Sequence, residues 1–161
     1  MSSLYKTSKL YNGYEFTNDN GDVYFVYMSE YYFEHPTSAD EDDLVKVNHI
    51  GFSCHRKKAE KTHHFDPKCQ ATIMAIFLKF FNEKPDDAFT YVCDNKDNRA
   101  RTRRITFGRW ITEGDPEHQF FIHHAHIKSA KFYTTLIVRK ENPLKEYFQE
   151  AFDFTIKKYY S

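Results

Sequence analysis

Ala88-Phe-Thr-Tyr-Val-Cys-Asp94, Asn95-Lys-Asp-Asn98 and Arg99-Ala-Arg-Thr-Arg-Arg-Ile-Thr-Phe-Gly-Arg-Trp-Ile111 follow one another without a break. The first segment is apolar or β-favouring from Phe89 to Cys93, which predicts a strand covered on both faces. Asp94 ends it, Asn95 to Asp97 turn the chain, and Asn98 or Asp97 offers an N-cap to a helix. At about 100° per residue, Ala100, Phe107, Trp110 and Ile111 share the helix face that would pack on a sheet. Arg99 and Arg103 stand at one edge of this face, Arg104 at the other, and Arg101 and Arg109 point away. An arginine that leans into an apolar face needs an anion, because an unpaired buried charge is costly. Asp94 and Asp97 are the nearest carboxylates, so one reading is a structural Asp–Arg network tying helix to strand. The other is a site for a bound phosphate or carboxylate, at the strand end where α/β folds hold ligands and beside a helix N-terminus.

Working outward, Ala71 to Phe81 is apolar almost all round and predicts a central helix, opened by Asp66-Pro67 and stopped by Lys84-Pro85. Before it lie a basic loop from Arg56 to Lys68 and a strand over Leu44 to Cys54. Tyr14 to Thr17 and Val23 to Met28 flank Asn18-Asp-Asn-Gly21, a strong hairpin signal because Asn and Gly tolerate positive φ. Residues 1–12 read as a frayed lead-in, and Asp40 to Asp43 as a solvated acidic loop. Downstream, Gly114-Asp-Pro breaks the chain before a second hairpin, Phe120 to Ile127 and Phe132 to Arg139. Asn142-Pro143 opens a last helix, with Leu144, Tyr147, Phe148, Ala151, Phe152 and Ile156 at helical spacing. The predicted order is β-β-β-α-β-α-β-β-α. It implies a single α+β domain around a mostly antiparallel, twisted sheet of about six strands, with one parallel pair across a crossover helix.

The chain's 161 residues give room for one core, and its 23 basic and 23 acidic residues balance, so no global field recruits nucleic acid or membrane. Cys54, Cys69 and Cys93 are an odd set without paired spacing, which argues for a reducing, cytoplasmic setting over a disulfide framework. No apolar run reaches membrane-spanning length, and the polar start lacks a signal-peptide core. With 16 Phe and 12 Tyr against five Gly and five Pro, the composition is that of a folded domain.

Other chemistry is weaker. His124 and His126 fall on one face of a strand, a spacing able to chelate a metal if His63 and His64 come close, but the Cys pairs typical of structural zinc are lacking. Cys93 lies in an apolar strand, where an inert thiol is the plainer reading than a nucleophile. Asp94 and Asp97 beside arginines would stay ionised, which favours ion pairs over proton transfer. If the basic loop converges on the arginine helix, Lys68, Arg99 and Arg103 would attract a nucleotide, a CoA-like ligand or a nucleic-acid backbone.

Two resemblances bear on these residues. Asp66-Pro-Lys68, Thr72-Ile73, Phe80-Phe81, Tyr91-Val-Cys-Asp94, Asp97, Arg99, Arg103, Phe107 and Trp110 resemble a family of small bacterial proteins of unknown function, with the pattern Y-x-C-D-x-x-D-x-R-x-x-x-R-x-x-x-F-x-x-W. That likeness brings no activity with it. In element order alone the chain is similar to the GCN5-related acyltransferases, whose glycine-rich loop binds the pyrophosphate of acyl-CoA. Pro67 and Cys69 stand where that loop would need glycines. The sequence therefore supports three functions: a binder of an anionic small molecule (nucleotide or CoA-like) as a divergent acyltransferase-like protein, a protein-interaction module or homodimer, and a nucleic-acid binder.

Overall fold

The computed structural model describes residues 3–38, 43–57, 67–94, 100–129 and 132–160, with side chains at all of these except 93–94 and 100–104. Its elements are β1 (Ser8–Leu10), β2 (Gly13–Thr17), β3 (Val23–Phe33), β4 (Val45–His55), α1 (Pro67–Glu83), β5 (Phe89–Asp94), α2 (Ala100–Glu113), β6 (Phe120–Ile127), β7 (Phe132–Arg139) and α3 (Lys145–Tyr160). The fold is α+β, with a seven-stranded sheet in the order β1-β2-β3-β4-β5-β7-β6. Pairing is antiparallel for β1–β2, β2–β3, β5–β7 and β6–β7, and parallel for β4–β5, where Asn48 faces Phe89 and His49 faces Thr90. The strand beyond the expected six is β1. All three of its side chains are exposed, so it leaves no apolar signature.

The chain forms two compact units, Met1–Ser29 with Ile50–Glu83 and Glu30–His49 with Lys84–Ser161. In the first, the β2–β3 turn is built by Asn18, whose side-chain oxygen accepts from the Asn20 and Asp22 amides at 3.0 and 2.8 Å, and by Gly21 at φ 83°. Phe16 is stacked between the rings of Tyr5 and Tyr24, at 5.6 and 4.9 Å. The Tyr5 amide donates to the Thr72 hydroxyl at 3.0 Å, so the stretch before β1 is pinned to α1. That helix starts at Pro67 and buries Cys69, Ile73, Met74, Ile76, Phe77, Phe80 and Phe81, as expected of a centrally placed helix. Each large apolar side chain so buried contributes about 1.5–3 kcal/mol.

In the second unit both faces of the β5–β7–β6 ladder carry a helix. On one face the Tyr91 ring stacks on Phe107 of α2 at 3.8 Å, and Trp110 and Ile111 are buried, the packing read from the helical spacing. On the other face Phe148, Ala151 and Phe152 of α3 pack with Phe33, Val45, Val47, Ala88, Leu136 and Val138. Two expectations for α3 need correcting. Leu144 lies before the helix and is exposed, and Tyr147 turns from the sheet to stack on His35 at 4.3 Å. A third correction concerns β5: Val92, expected to be covered, is 41 % exposed on the α3 side.

Candidate functional site

That exposure follows from alternation along β5. Tyr91 points to α2, so Thr90 and Val92 point to α3. Along α3, Phe152, Thr155, Ile156 and Tyr160 recur at helical spacing and present one stripe toward the sheet. Under the amino-terminal part of α3 the sheet offers Leu136 and Val138, which fill the interface. Under the carboxyl-terminal part it offers Thr90, Val92 and Thr134, which are too short to do so. The result is an open pocket of about 380 Å³, walled by Phe33, Phe132, Phe152, Ile127 and Ile156 and bordered by Tyr31 and Tyr160.

Its lining is mostly apolar and carries no Lys, Arg, Asp or Glu among the described residues. His49 is the one imidazole among the described lining residues. Burial pushes the His49 pKa down, against a hydrogen bond to the Thr90 backbone that pulls it up, and Nδ1 lies 3.4 Å from the Thr90 hydroxyl. The Thr134 hydroxyl donates to the Tyr91 carbonyl at 3.2 Å. The Thr155 hydroxyl has committed its proton: it accepts from the Glu34 amide at 2.9 Å and donates to the Glu34 carbonyl at 3.1 Å. Burial, with the Tyr160 hydroxyl nearby, raises the Tyr31 pKa, so the Tyr31 phenol stays neutral.

Beside it lies a second concavity of about 390 Å³ bordered by Tyr32, Glu34, Leu44 and Tyr159, sharing Tyr31, Thr155 and Tyr160 with the first. Here the Glu34 carboxylate accepts from Lys158 Nζ and the Tyr159 hydroxyl, both at 2.8 Å, which holds its pKa below the usual range. The two hollows thus differ in kind: one is apolar, and the other is bordered by the ion-paired Glu34.

Of the residues singled out from the sequence, Lys68, His124 and His126 line neither hollow. Lys68 is in the first turn of α1 with its ammonium 4.3 Å from the centre of the Tyr5 ring, a cation–π contact. Asp94 ends β5, where its backbone pairs with Phe132, and Arg103 lies in α2. The side chains of Asp94, Arg103 and Cys93 lie outside the described residues, as do Asp97, Arg99, the N-cap Asn98, His63, His64 and most of the basic loop. His124 and His126 share one side of β6. His124 Nδ1 is 2.8 Å from the Thr135 hydroxyl, and His126 stacks on Tyr133 at 4.2 Å. Among the described residues no three His, Cys, Asp or Glu side chains gather as a metal site, and no helix is long and apolar enough to cross a membrane. Sequence reasoning passed over His49, Thr90 and Thr134. The usable signal was the Thr134-Thr135 pair inside an otherwise apolar strand, since two adjacent threonines put one hydroxyl on each face.

Residues 65–154 match a family described as a family of unknown function, DUF6169. No curated protein and no solved structure matches the chain.

Proposed function

The chain belongs to the family of unknown function DUF6169, and from the geometry of the α3 side we propose that it binds a small molecule in the pocket between α3 and Thr90, Val92 and Thr134. The carrying observation is a concavity of about 380 Å³ with an apolar wall and a few polar groups. Ligand sites are typically ~300–1,000 Å³ and lined this way. Val92 supports the same reading, because a Val left 41 % exposed in the middle of a sheet gains from an occupant. The test is a thermal-shift and calorimetric screen of small molecules against the wild type and Val92→Trp. The indole would occupy the pocket from an exposed position and leave the fold intact. Binding to the wild type and not to the variant supports the proposal; no binding at millimolar ligand, or equal binding to both, overturns it.

A second reading keeps the anionic ligand, nucleotide or CoA-like, with Arg99, Arg103 and Lys68 holding its phosphates and Asp94 and Asp97 orienting the arginines. What favours it is the Tyr91–Phe107 stack, which fixes α2 beside the carboxyl half of β5. Titration of the Arg99→Ala, Arg103→Ala double variant with CoA and ATP tests it, and wild-type affinity in that variant sinks it. The exposed Tyr31, Tyr32 and Tyr159 suit a homodimer contact as well; a monomeric mass by light scattering at high concentration counts against this.

A further inference from the structure

We propose that the hollow bordered by Tyr31, Tyr32, Glu34, Tyr159 and Tyr160 binds a small molecule through an alkylated ammonium group, a head of the choline type, with the Lys158 ammonium as its internal competitor. This site is separate from the apolar pocket, and the reading of that pocket does not carry it. Three observations do.

The first is the gathering of rings. Tyr31 and Tyr32 stand at the end of β3, just before the buried Phe33, and Tyr159 and Tyr160 stand at the end of α3. Two pairs of neighbouring phenols, from elements far apart in sequence, thus border one concavity of about 390 Å³. That volume lies within the ~300–1,000 Å³ of small-ligand sites. All four rings are exposed. The negative face of an aromatic ring attracts cations, and sets of such rings are the recognised receptors of quaternary ammonium groups.

The second is the anion among them. Hydrogen bonds from Lys158 and then from Tyr159 keep the Glu34 carboxylate ionised. The Tyr159 hydroxyl donates to it at 2.8 Å, and the Tyr32 hydroxyl donates to Glu30 at 3.2 Å, where Glu30 also pairs with Lys46. A phenol that donates to a carboxylate is polarised, and electron density shifted toward its ring deepens the negative face. The site therefore offers a cation both a formal charge and enriched rings.

The third is what already sits there. Lys158 Nζ lies 2.8 Å from Glu34 and 5.3 Å from the centre of the Tyr159 ring. The fold itself seats an alkylammonium between the carboxylate and a phenol. Both partners of this ion pair reach solvent, and such pairs are weak. A guest cation displaces Lys158 to water, while the Tyr159 hydroxyl keeps Glu34 in place. A trimethylammonium head demands no hydrogen bond and is less hydrated than a lysine ammonium, so it gains more from the rings.

Choline, its neutral carbon isostere 3,3-dimethyl-1-butanol, and ethanolamine separate charge from shape and alkylation from charge. Calorimetry on the whole chain should show choline binding at least ~10-fold more tightly than the isostere, a difference of about 1.4 kcal/mol. It should also bind severalfold more tightly than ethanolamine. Lys158→Met removes the competitor and should tighten choline by about 3-fold, the worth of an exposed ion pair. Glu34→Gln and Tyr159→Leu should each weaken it. Val92→Trp, which fills the neighbouring pocket, should leave choline binding unchanged, so the two sites fail or stand separately. Equal binding of choline and the isostere, or of choline and ethanolamine, overturns the proposal. So does a Lys158→Met variant that binds choline no better than wild type, or a loss of choline binding in Val92→Trp. A dimer that Tyr159→Leu dissociates and choline does not would put a second copy of the chain on these rings and overturn it as well. The three probes on the wild type decide the matter even where a variant does not fold.

Discussion

The Tyr91 and Phe107 rings lie 3.8 Å apart between centroids and within 10° of parallel, so the strand and the arginine-bearing helix meet through one aromatic stack. Phe107 is fully buried, 2 % exposed, and truncation there would leave a cavity between α2 and β5. Phe107→Ala is expected to lose about 3–5 kcal/mol, whereas Phe107→Leu, which keeps most of the volume, should lose less than half of that. Urea unfolding of the two variants checks this. Equal losses would mean that the ring geometry rather than the filled volume holds the helix.

His49 couples the pocket to pH. Burial depresses its folded-state pKa below the ordinary value of about 6.5, and Thr90 opposes this in part. The unfolded chain therefore takes up a proton at a higher pH than the folded one. This group's contribution to stability is complete above about pH 6.5, declines as pH falls below it, and levels off once the folded imidazole is also protonated. Among the other described lining residues, burial raises the Tyr31 pKa and so moves it further from this window. His49→Phe should flatten the stability–pH curve between pH 6.5 and the acid limb relative to wild type. Parallel curves for the two proteins would remove His49 as the cause.

Where the fold follows from periodicity, the sequence was readable. Asn18 to Gly21 mark one hairpin, Phe120 to Arg139 the other, and the all-round apolar run after Pro67 marks α1. In each, a residue type has one physical use: positive φ, alternation, or burial. Strand β1 was not readable because its side chains are solvent-facing and only its backbone pairs. Leu144 and Tyr147 fit the α3 period yet stay outside the interface, since helical spacing fixes direction but not whether anything lies opposite. The pocket escaped for the complementary reason. It exists because Thr90, Val92 and Thr134 are short where α3 ends, and that is a relation among two strands and a helix carried by no local pattern.

Asp115 sits in the Gly114-Asp-Pro break, 7 % exposed, and its two carboxylate oxygens accept from the Gln119 amide at 2.7 Å and the Phe120 amide at 3.0 Å. It thereby fixes the entry into β6. Hydrogen bonds to a charged acceptor are worth about 1.5–3 kcal/mol each, and deletion leaves one buried amide unmatched. Asp115→Ala should cost about 2–4 kcal/mol, and Asp115→Asn, which keeps one good acceptor, roughly half of that. Thermal unfolding of the pair checks the order. An alanine variant as stable as wild type would show that the turn is held by its backbone alone.

Thr155 holds the chain beyond β3 to α3 by a two-way contact: its hydroxyl takes a proton from the Glu34 amide and gives one to the Glu34 carbonyl. Those two backbone groups are partly buried, so a valine of the same shape would strip both of their partner. Thr155→Val is expected to cost about 1–3 kcal/mol, the penalty of unmatched polar groups. Thr155→Ser retains both hydrogen bonds and should lose only about 0.8 kcal/mol, the worth of one buried methyl. The Glu34 amide should exchange with solvent faster in the valine variant and at the wild-type rate in the serine variant. If the serine variant is the less stable of the two, the methyl group that lines the pocket matters more than the hydroxyl, and the contact with Glu34 is incidental.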